Sequence, residues 1–286
     1  MKNHYAILAA AMLVGFVAST RAGTVDGVTF LDNQLISIDT TTGAGTLIGP
    51  LGTAVSPFGL ANVNGKLYTF DSNADVITQL NPATGATVAT YSIGIGPVLG
   101  QGGLAFQSST VGFLTSALDP TKFNPVNDLY RFDLATGTST LIAHTSDTLE
   151  AIAFGPSNML YGLGKLDGDL YAINPSTGAM TLVGNVGVGV GSPTGGLTFG
   201  PDGTLFASLD DKLYTLSTTT GLAAAVGSAD PTAYTGFSSI SGLAFAPSVV
   251  PEPASLITLG LGAAGVILLR LMHCRRSNRL HKLRQP

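Results

Sequence analysis

The sequence predicts an all-β chain: a five-bladed β-propeller closed by a blade shared between its N- and C-terminal strands, followed by one C-terminal transmembrane helix. Three observations carry this reading. A polar turn phrase recurs five times at a spacing near 45 residues. An apolar Gly-Leu-Ala-Phe phrase recurs five times between its copies. A charge-free stretch followed by six basic residues stands near the C-terminus. Glycine is abundant, 37 of 286 residues, charged residues are only 10% and Trp is absent, which argues against a coiled coil or a long helical bundle.

Residues 1–22 read as a secretory signal peptide. Lys2 and His4 open it, Tyr5 to Val17 is its apolar stretch, and Thr20-Arg21-Ala22 sets small residues at the −3 and −1 positions of a cut between Ala22 and Gly23. The apolar run is shorter than the ~20 residues of a spanning helix.

Residues 23–248 are the repeat domain. The turn phrase is apolar, then Asp/Asn/Ser, two residues, Thr and Gly. Its copies are Ile38 to Gly43, Leu80 to Gly85, Phe132 to Gly137, Ile173 to Gly178 and Leu216 to Gly221, with glycines 42, 52, 41 and 43 residues apart. An Asp or Asn side chain bonds nearby N–H groups, and Gly takes φ > 0, so each phrase joins two strands. Upstream stand period-two runs such as Lys66 to Phe70, Leu129 to Phe132 and Leu170 to Ile173; downstream stand Thr46 to Gly49, Thr140 to Ala143 and Thr181 to Gly184. The second phrase is Gly59-Leu60-Ala61-Asn62, Gly103-Leu104-Ala105-Phe106, Glu150-Ala151-Ile152-Ala153-Phe154 (offset by one), Gly196-Leu197-Thr198-Phe199 and Gly242-Leu243-Ala244-Phe245. Four strands per repeat make a blade. The domain starts with a second-type strand at Val28 to Leu31 and ends with a first-type strand at Gly242 to Phe245, so the two complete one blade and leave no open end. An open β-solenoid is the alternative, but it has no reason to split a repeat between its two ends.

Candidate chemistry in this domain is sparse. Residues 23–250 hold 16 acids and 5 bases, a poor surface for nucleic acid. They hold one His, one Glu and no Cys. His144 is expected in a surface loop, so neither a Ser-His-Asp site nor a zinc site is expected. Glu150 stands where other copies have Gly, at the start of a strand lining the channel, and Asn62 replaces the Phe of its phrase. Oxygen ligands at Glu150 and Asn62 are the candidate contacts for a ligand or Ca2+; the bland alternative is that Glu150 caps the channel. Asp71 to Asp75 has the spacing of a Ca2+ loop at three positions, but Val76 and Pro82 stand where Gly and Glu belong, so it reads as a turn. Gly187 to Ser192 lacks the Lys and helix of a phosphate cradle. The insertion at Ser116 to Asn127 is the first guess for a contact loop.

Residues 249–286 form the tail. Val250-Pro251-Glu252-Pro253-Ala254-Ser255 is held extended by its prolines. A helix is predicted over about 254–272; its first sixteen residues carry no charge and reach about 24 Å, and Arg270 snorkels to complete the span. Arg270, Arg275, Arg276 and Arg279 stop the helix at the membrane, and the basic tail of 273–286 stays in the cytoplasm. Cys274, the only cysteine, lies on that side, so no disulfide serves the exported part. The triplet Pro251-Glu252-Pro253, the short apolar helix and the Arg-rich end resemble a PEP-CTERM sorting signal, also called the ice-binding protein C-terminal motif, from which no ice binding is read. The tail beyond the Arg cluster is longer than usual for that family. The resemblance implies a Gram-negative host, recognition by a membrane-embedded exosortase at Val250 to Pro253, and delivery to the cell surface or extracellular matrix.

The sequence therefore points to an exported, membrane-tethered protein that is not an enzyme and needs no cofactor. Its ectodomain is expected to bind exopolysaccharide or protein, or to serve as a structural module. The rival is a Ca2+-dependent, lactonase-like hydrolase working in the central channel around Glu150.

Overall fold

The computed structural model describes residues 23–52, 55–95, 102–116, 128–165, 167–189, 195–209, 211–227 and 235–246. The signal peptide, the insertion beyond Ser116, and the sorting motif, helix and basic tail of 249–286 lie outside the described residues, as do the cut at Ala22 and the end of the Gly187 to Ser192 run. Residues 21–248 form one compact unit.

Twenty strands follow one another: β1 Thr24–Thr29, β2 Gln34–Asp39, β3 Gly45–Pro50, β4 Pro57–Val63, β5 Lys66–Asp71, β6 Val76–Leu80, β7 Thr87–Ser92, β8 Leu104–Phe106, β9 Val111–Ser116 and β10 Asp128–Asp133 in the first half. The second half is β11 Thr138–His144, β12 Leu149–Phe154, β13 Leu160–Gly164, β14 Asp169–Ile173, β15 Met180–Asn185, β16 Gly196–Phe199, β17 Leu205–Leu209, β18 Lys212–Leu216, β19 Ala223–Ala225 and β20 Ile240–Phe245. They form five antiparallel four-stranded sheets, from the axis outward β20-β1-β2-β3, β4-β5-β6-β7, β8-β9-β10-β11, β12-β13-β14-β15 and β16-β17-β18-β19. The inner strands neighbour one another in the order β20, β4, β8, β12, β16 and back to β20. This is a five-bladed propeller, and its first blade is closed by the last strand, as the repeat pattern predicts. No helix occurs among the described residues.

Two local expectations shift. The first strand is Thr24–Thr29, and Phe30 and Leu31 fall in the following turn, because strand pairing to β20 already engages Val25. Lys66 to Phe70 belongs to the second strand of its blade; β6 separates it from the turn phrase.

The turn phrase closes the third and fourth strands identically in every blade. The N–H of Gly43, Gly85, Gly137, Gly178 and Gly221 donates to the carbonyl four residues back at 2.8–2.9 Å. The Asp39 carboxylate accepts the N–H groups of Thr41 (2.7 Å) and Thr42 (2.8 Å), which hold its pKa below the ordinary value. Asn81, Asp133 and Asn174 accept the N–H two residues on in the same way, and Ser217 uses its hydroxyl. These five glycines have φ between +67° and +79°, a region L side chains avoid.

The core is divided among the blade interfaces. Five apolar clusters form, one per pair of adjacent blades; Leu35, Leu60 and Leu67 with Ala244 fill the gap between the first and second blades, and Ile36, Ile240, Leu243 and Leu213 that between the fifth and first. Strands next to the axis are buried on both faces, whereas the outer strands are largely exposed.

Candidate functional site

The repeated Gly-Leu phrase builds the axis. A Cβ on Gly103 would lie 2.3 Å from the Ile152 nitrogen, and one on Gly242 would lie 2.4 Å from the Leu60 nitrogen. Only glycine lets the inner strands approach this closely. Leu60, Leu104, Ile152, Leu197 and Leu243 then constrict the channel at mid-height.

Above that constriction the channel opens into a bowl of about 790 Å3. Its floor is the leucine ring, its wall is Ala61, Ala105, Ala153 and Thr198, and its rim includes Asn64 and Pro201. Among the described residues no charged side chain lines it. Phe106, Phe154, Phe199 and Phe245 also line it, and each packs on a ring of the preceding blade: Phe106 lies 5.2 Å from Tyr68, Phe154 5.4 Å from Phe113, Phe199 5.4 Å from Tyr161 and Phe245 6.5 Å from Phe206, centroid to centroid.

Asn62 takes the fifth of these positions, and its amide is committed. Nδ2 donates to the Phe245 carbonyl at 2.8 Å, and Oδ1 accepts the Gly65 N–H at 3.0 Å. From the other side, the Phe245 N–H donates to Thr198 Oγ1 at 3.2 Å. The two polar side chains of the inner wall therefore pin the closing strand β20 to both neighbouring blades. Thr198 departs from the Ala of the other copies, a signal already visible in the sequence.

Glu150 lies on the opposite side of the leucine ring and does not line the bowl, so the structure does not bring Glu150 and Asn62 into one site. Ala151, not Glu150, occupies the axial glycine position: it is Ala151 that a Cβ on Gly103 would meet. The register of β12 on β13 skips Glu150, making it the extra residue of a bulge, a feature that re-aims a side chain. It is 3% exposed, and its Oε2 has no hydrogen-bond partner. Burial pushes its pKa up to about 8 against the opposing pull of the Lys165 charge. Burial likewise lowers the pKa of Lys165. A Cβ on Gly195 would lie 2.7 Å from Glu150 Oε1, so the glycine of the next blade makes room for the carboxyl.

Around this entrance, hydroxyls of the second strands hold the inner strands. Thr69 donates to the Gly59 carbonyl (2.7 Å), the Gly103 N–H donates to Thr115 (2.7 Å), and the Gly196 N–H donates to Ser208 (2.8 Å). Farther out, Asp147 has its pKa raised by burial and by the Asp167 charge, and Tyr171 is pushed up to about 12 by burial and by Asp147. His144 ends β11 rather than lying in a loop, because the strand pairs with β10 as far as Asp128; its Nδ1 is 2.5 Å from Asp128 Oδ1 and the ring is largely exposed. Asp71 accepts the N–H groups of Ser56 and Asn73, as a turn residue does. Among the described residues no group of three or more His, Cys, Asp or Glu is placed to hold a metal ion.

Residues 249–276 match the model of the PEP-CTERM protein-sorting motif. The chain carries a PEP-CTERM sorting signal. This signal marks an exported, membrane-anchored protein of a Gram-negative bacterium and an exosortase substrate. The match contains Val250, Pro251, Glu252, Pro253, Arg270, Arg275 and Arg276; Arg279 falls beyond it. No curated protein matches the chain. Among solved structures, a chain of the nidogen–laminin complex is similar at 12% identity, with 79% of this chain and 98% of that one covered and a TM-score of 0.48. XC5397 from Xanthomonas campestris, described as a gluconolactonase, is similar at 14% identity, with 73% and 79% covered and a TM-score of 0.48. Virginiamycin B lyase from Staphylococcus aureus is similar at 12% identity, with 71% and 65% covered and a TM-score of 0.44. The chain spans 49% of a structural-genomics protein from Bacteroides thetaiotaomicron that it also resembles. Likenesses at this level carry no argument about activity.

Proposed function

We propose that this PEP-CTERM protein is displayed on the cell surface or in the extracellular matrix, and that its propeller is a non-enzymatic binding module whose contact is the bowl. Export begins with the signal peptide of residues 1–22, and a transmembrane helix over about 254–272 holds the chain until the exosortase acts. The observation that carries the binding reading is the uncharged lining of a 790 Å3 bowl. Such a cavity suits a neutral ligand with an apolar face, and the end of an exopolysaccharide chain is of that kind. Among the described residues no carboxylate, histidine, lysine or cysteine lines it, and the hydroxyl of Thr198 is engaged by the Phe245 N–H, which supports binding over catalysis.

The rival hydrolase reading loses its paired ligands, because Asn62 lines the bowl and Glu150 does not.

Calorimetric titration of the protein with oligosaccharides from the producer's own exopolysaccharide tests the reading. Binding is expected to change little between low and high salt, since no charge in the bowl would be screened. Pro201→Trp, on the exposed rim, is expected to weaken binding at least tenfold with Tm unchanged. Equal affinity of the two proteins, or no heat with any fraction, would reject the bowl as the site.

A further inference from the structure

We infer that the Asn64-Gly65 turn on the rim of the bowl is a site of spontaneous deamidation, and that Asn62 guards it. Asn64-Gly65 is the single Asn-Gly pair of the sequence. It forms the whole loop between β4 and β5, since Val63 pairs with Lys66. Its residues have φ of +53° and +80°, as a type I′ hairpin turn requires. Both are exposed, and both line the bowl.

The chemistry needs only water. The Gly65 nitrogen attacks Asn64 Cγ, and the N–Cγ bond forms as the Cγ–Nδ2 bond breaks. The side-chain nitrogen leaves as ammonia, carrying the proton shed by Gly65, and a cyclic imide remains. Water then opens the ring at either carbonyl. Opening at Cγ leaves an ordinary aspartate at position 64, and opening at the backbone carbonyl leaves isoaspartate. Nothing is oxidised or reduced. Glycine at 65 favours the attack, because no Cβ crowds its nitrogen.

The fold holds this reaction back at one atom. The Gly65 N–H donates to Asn62 Oδ1 at 3.0 Å, and Asn62 Nδ2 donates to the Phe245 carbonyl at 2.8 Å, which fixes the Asn62 side chain. Before it attacks, the Gly65 nitrogen must shed the proton that this bond holds, and the turn must flex to bring the nitrogen to Cγ. Both steps break the bond. A hydrogen bond of ordinary net strength slows the reaction roughly fivefold. Asn62 therefore does more than pin β20: it sets how fast the rim turn ages. Conversion places a carboxylate on the rim of a bowl that no charged side chain lines among the described residues. Isoaspartate also adds a methylene to the backbone of a turn whose flanking register has no slack. This inference does not rest on the bowl being a binding site.

The test is incubation of the full chain in detergent micelles, in mildly alkaline buffer made with water labelled with heavy oxygen, followed by peptide mass spectrometry. The wild type is expected to take up the label at position 64 before any other asparagine of the propeller, with isoaspartate among the products. Asn62→Ala is expected to react roughly fivefold faster. Asn62→Asp keeps an oxygen for the Gly65 N–H but loses the donor to the Phe245 carbonyl. It is expected to react as slowly as the wild type even though its Tm falls. In urea, where the bond is absent, the wild type and Asn62→Ala are expected to react at one rate, faster than the folded wild type. Position 64 left unconverted while other asparagines react would overturn the inference, as would a folded wild type that reacts as fast as the unfolded chain. Asn62→Asp reacting as fast as Asn62→Ala would overturn the guarding role, since loosening of β20 would then account for the rate.

Discussion

Two departures from the repeated phrase, Asn62 and Glu150, show how a single residue is given a role by its position. Asn62 bonds backbone on both sides, and one of those bonds holds β20. Replacing it with Ala leaves the Phe245 carbonyl and the Gly65 N–H without those partners; at about 1 kcal/mol per bond, Asn62→Ala is expected to lower stability by about 1–2 kcal/mol. Urea unfolding checks this, and an unchanged midpoint would show that water replaces both bonds. Glu150 is a carboxyl whose folded pKa, about 8, lies above its ordinary 4.5. Between those values the folded chain keeps a proton that the unfolded chain has released, so stability falls as pH rises through that window and is highest, for this group, below it. A tenfold difference in proton affinity between the folded and unfolded chains corresponds to about 1.4 kcal/mol. Glu150→Gln is expected to flatten the decline from pH 5 to pH 8 and to leave the variant more stable than the wild type at pH 8. Parallel pH profiles of the two proteins would show instead that the carboxyl is ionised in the fold. Both positions were legible in the sequence as departures. Their separation was legible only in part. Ala151 to Phe154 already matches Gly242 to Phe245 without a gap, which sets Glu150 one residue before the axial glycine position, where β20 has Ser241, also skipped in its register. The commitment of Asn62, by contrast, depends on a strand 183 residues away.

At the scale of elements, the turn phrase was the most legible feature. Its Asp/Asn, Thr and Gly each act within five residues, so sequence alone contains the interaction. What the glycine faces is not local. A Cβ on Gly221 would lie 2.4 Å from Gly184 of the preceding blade, whereas one on Gly137 would meet only the Ser92 carbonyl, at 3.3 Å. Both substitutions to Ala carry the strain of positive φ, about 1 kcal/mol. Gly221→Ala adds a clash with backbone, of the order of 1–3 kcal/mol for overpacking. Thermal unfolding is therefore expected to rank Gly221→Ala well below Gly137→Ala; equal melting temperatures would mean that the joint between blades yields without loss. The same joint explains why the next-to-last residue of β3, β11 and β15 is small, Gly49, Ala143 and Gly184, a regularity the sequence displays without its reason.

At the scale of the molecule, ring closure decides whether the domain folds as one body. The order of phrases along the chain made the shared blade legible, since a second-type strand comes first and a first-type strand last. β20 supplies Ile240, Leu243 and Ala244 to two of the five interblade cores, and Ser241 Oγ donates to the Pro57 carbonyl at 2.6 Å. Losing buried Ile240 and Leu243 alone amounts to about 2–5 kcal/mol each by analogy with truncation to Ala, against a typical total stability of about 5–15 kcal/mol. A chain ended after Ser239 is thus expected to lose its cooperative transition, because β1 becomes an open edge and two interfaces lose a wall. A chain ended after Ser248 keeps every described contact of β20 and is expected to melt at the temperature of the full chain. Processing within 249–276 is then thermally silent for the propeller, so an exosortase can release the domain without unfolding it. Calorimetry of the two shortened chains beside the full one decides the matter. A cooperative transition in the chain ended at Ser239 would show that four complete blades hold the ring without its closing strand.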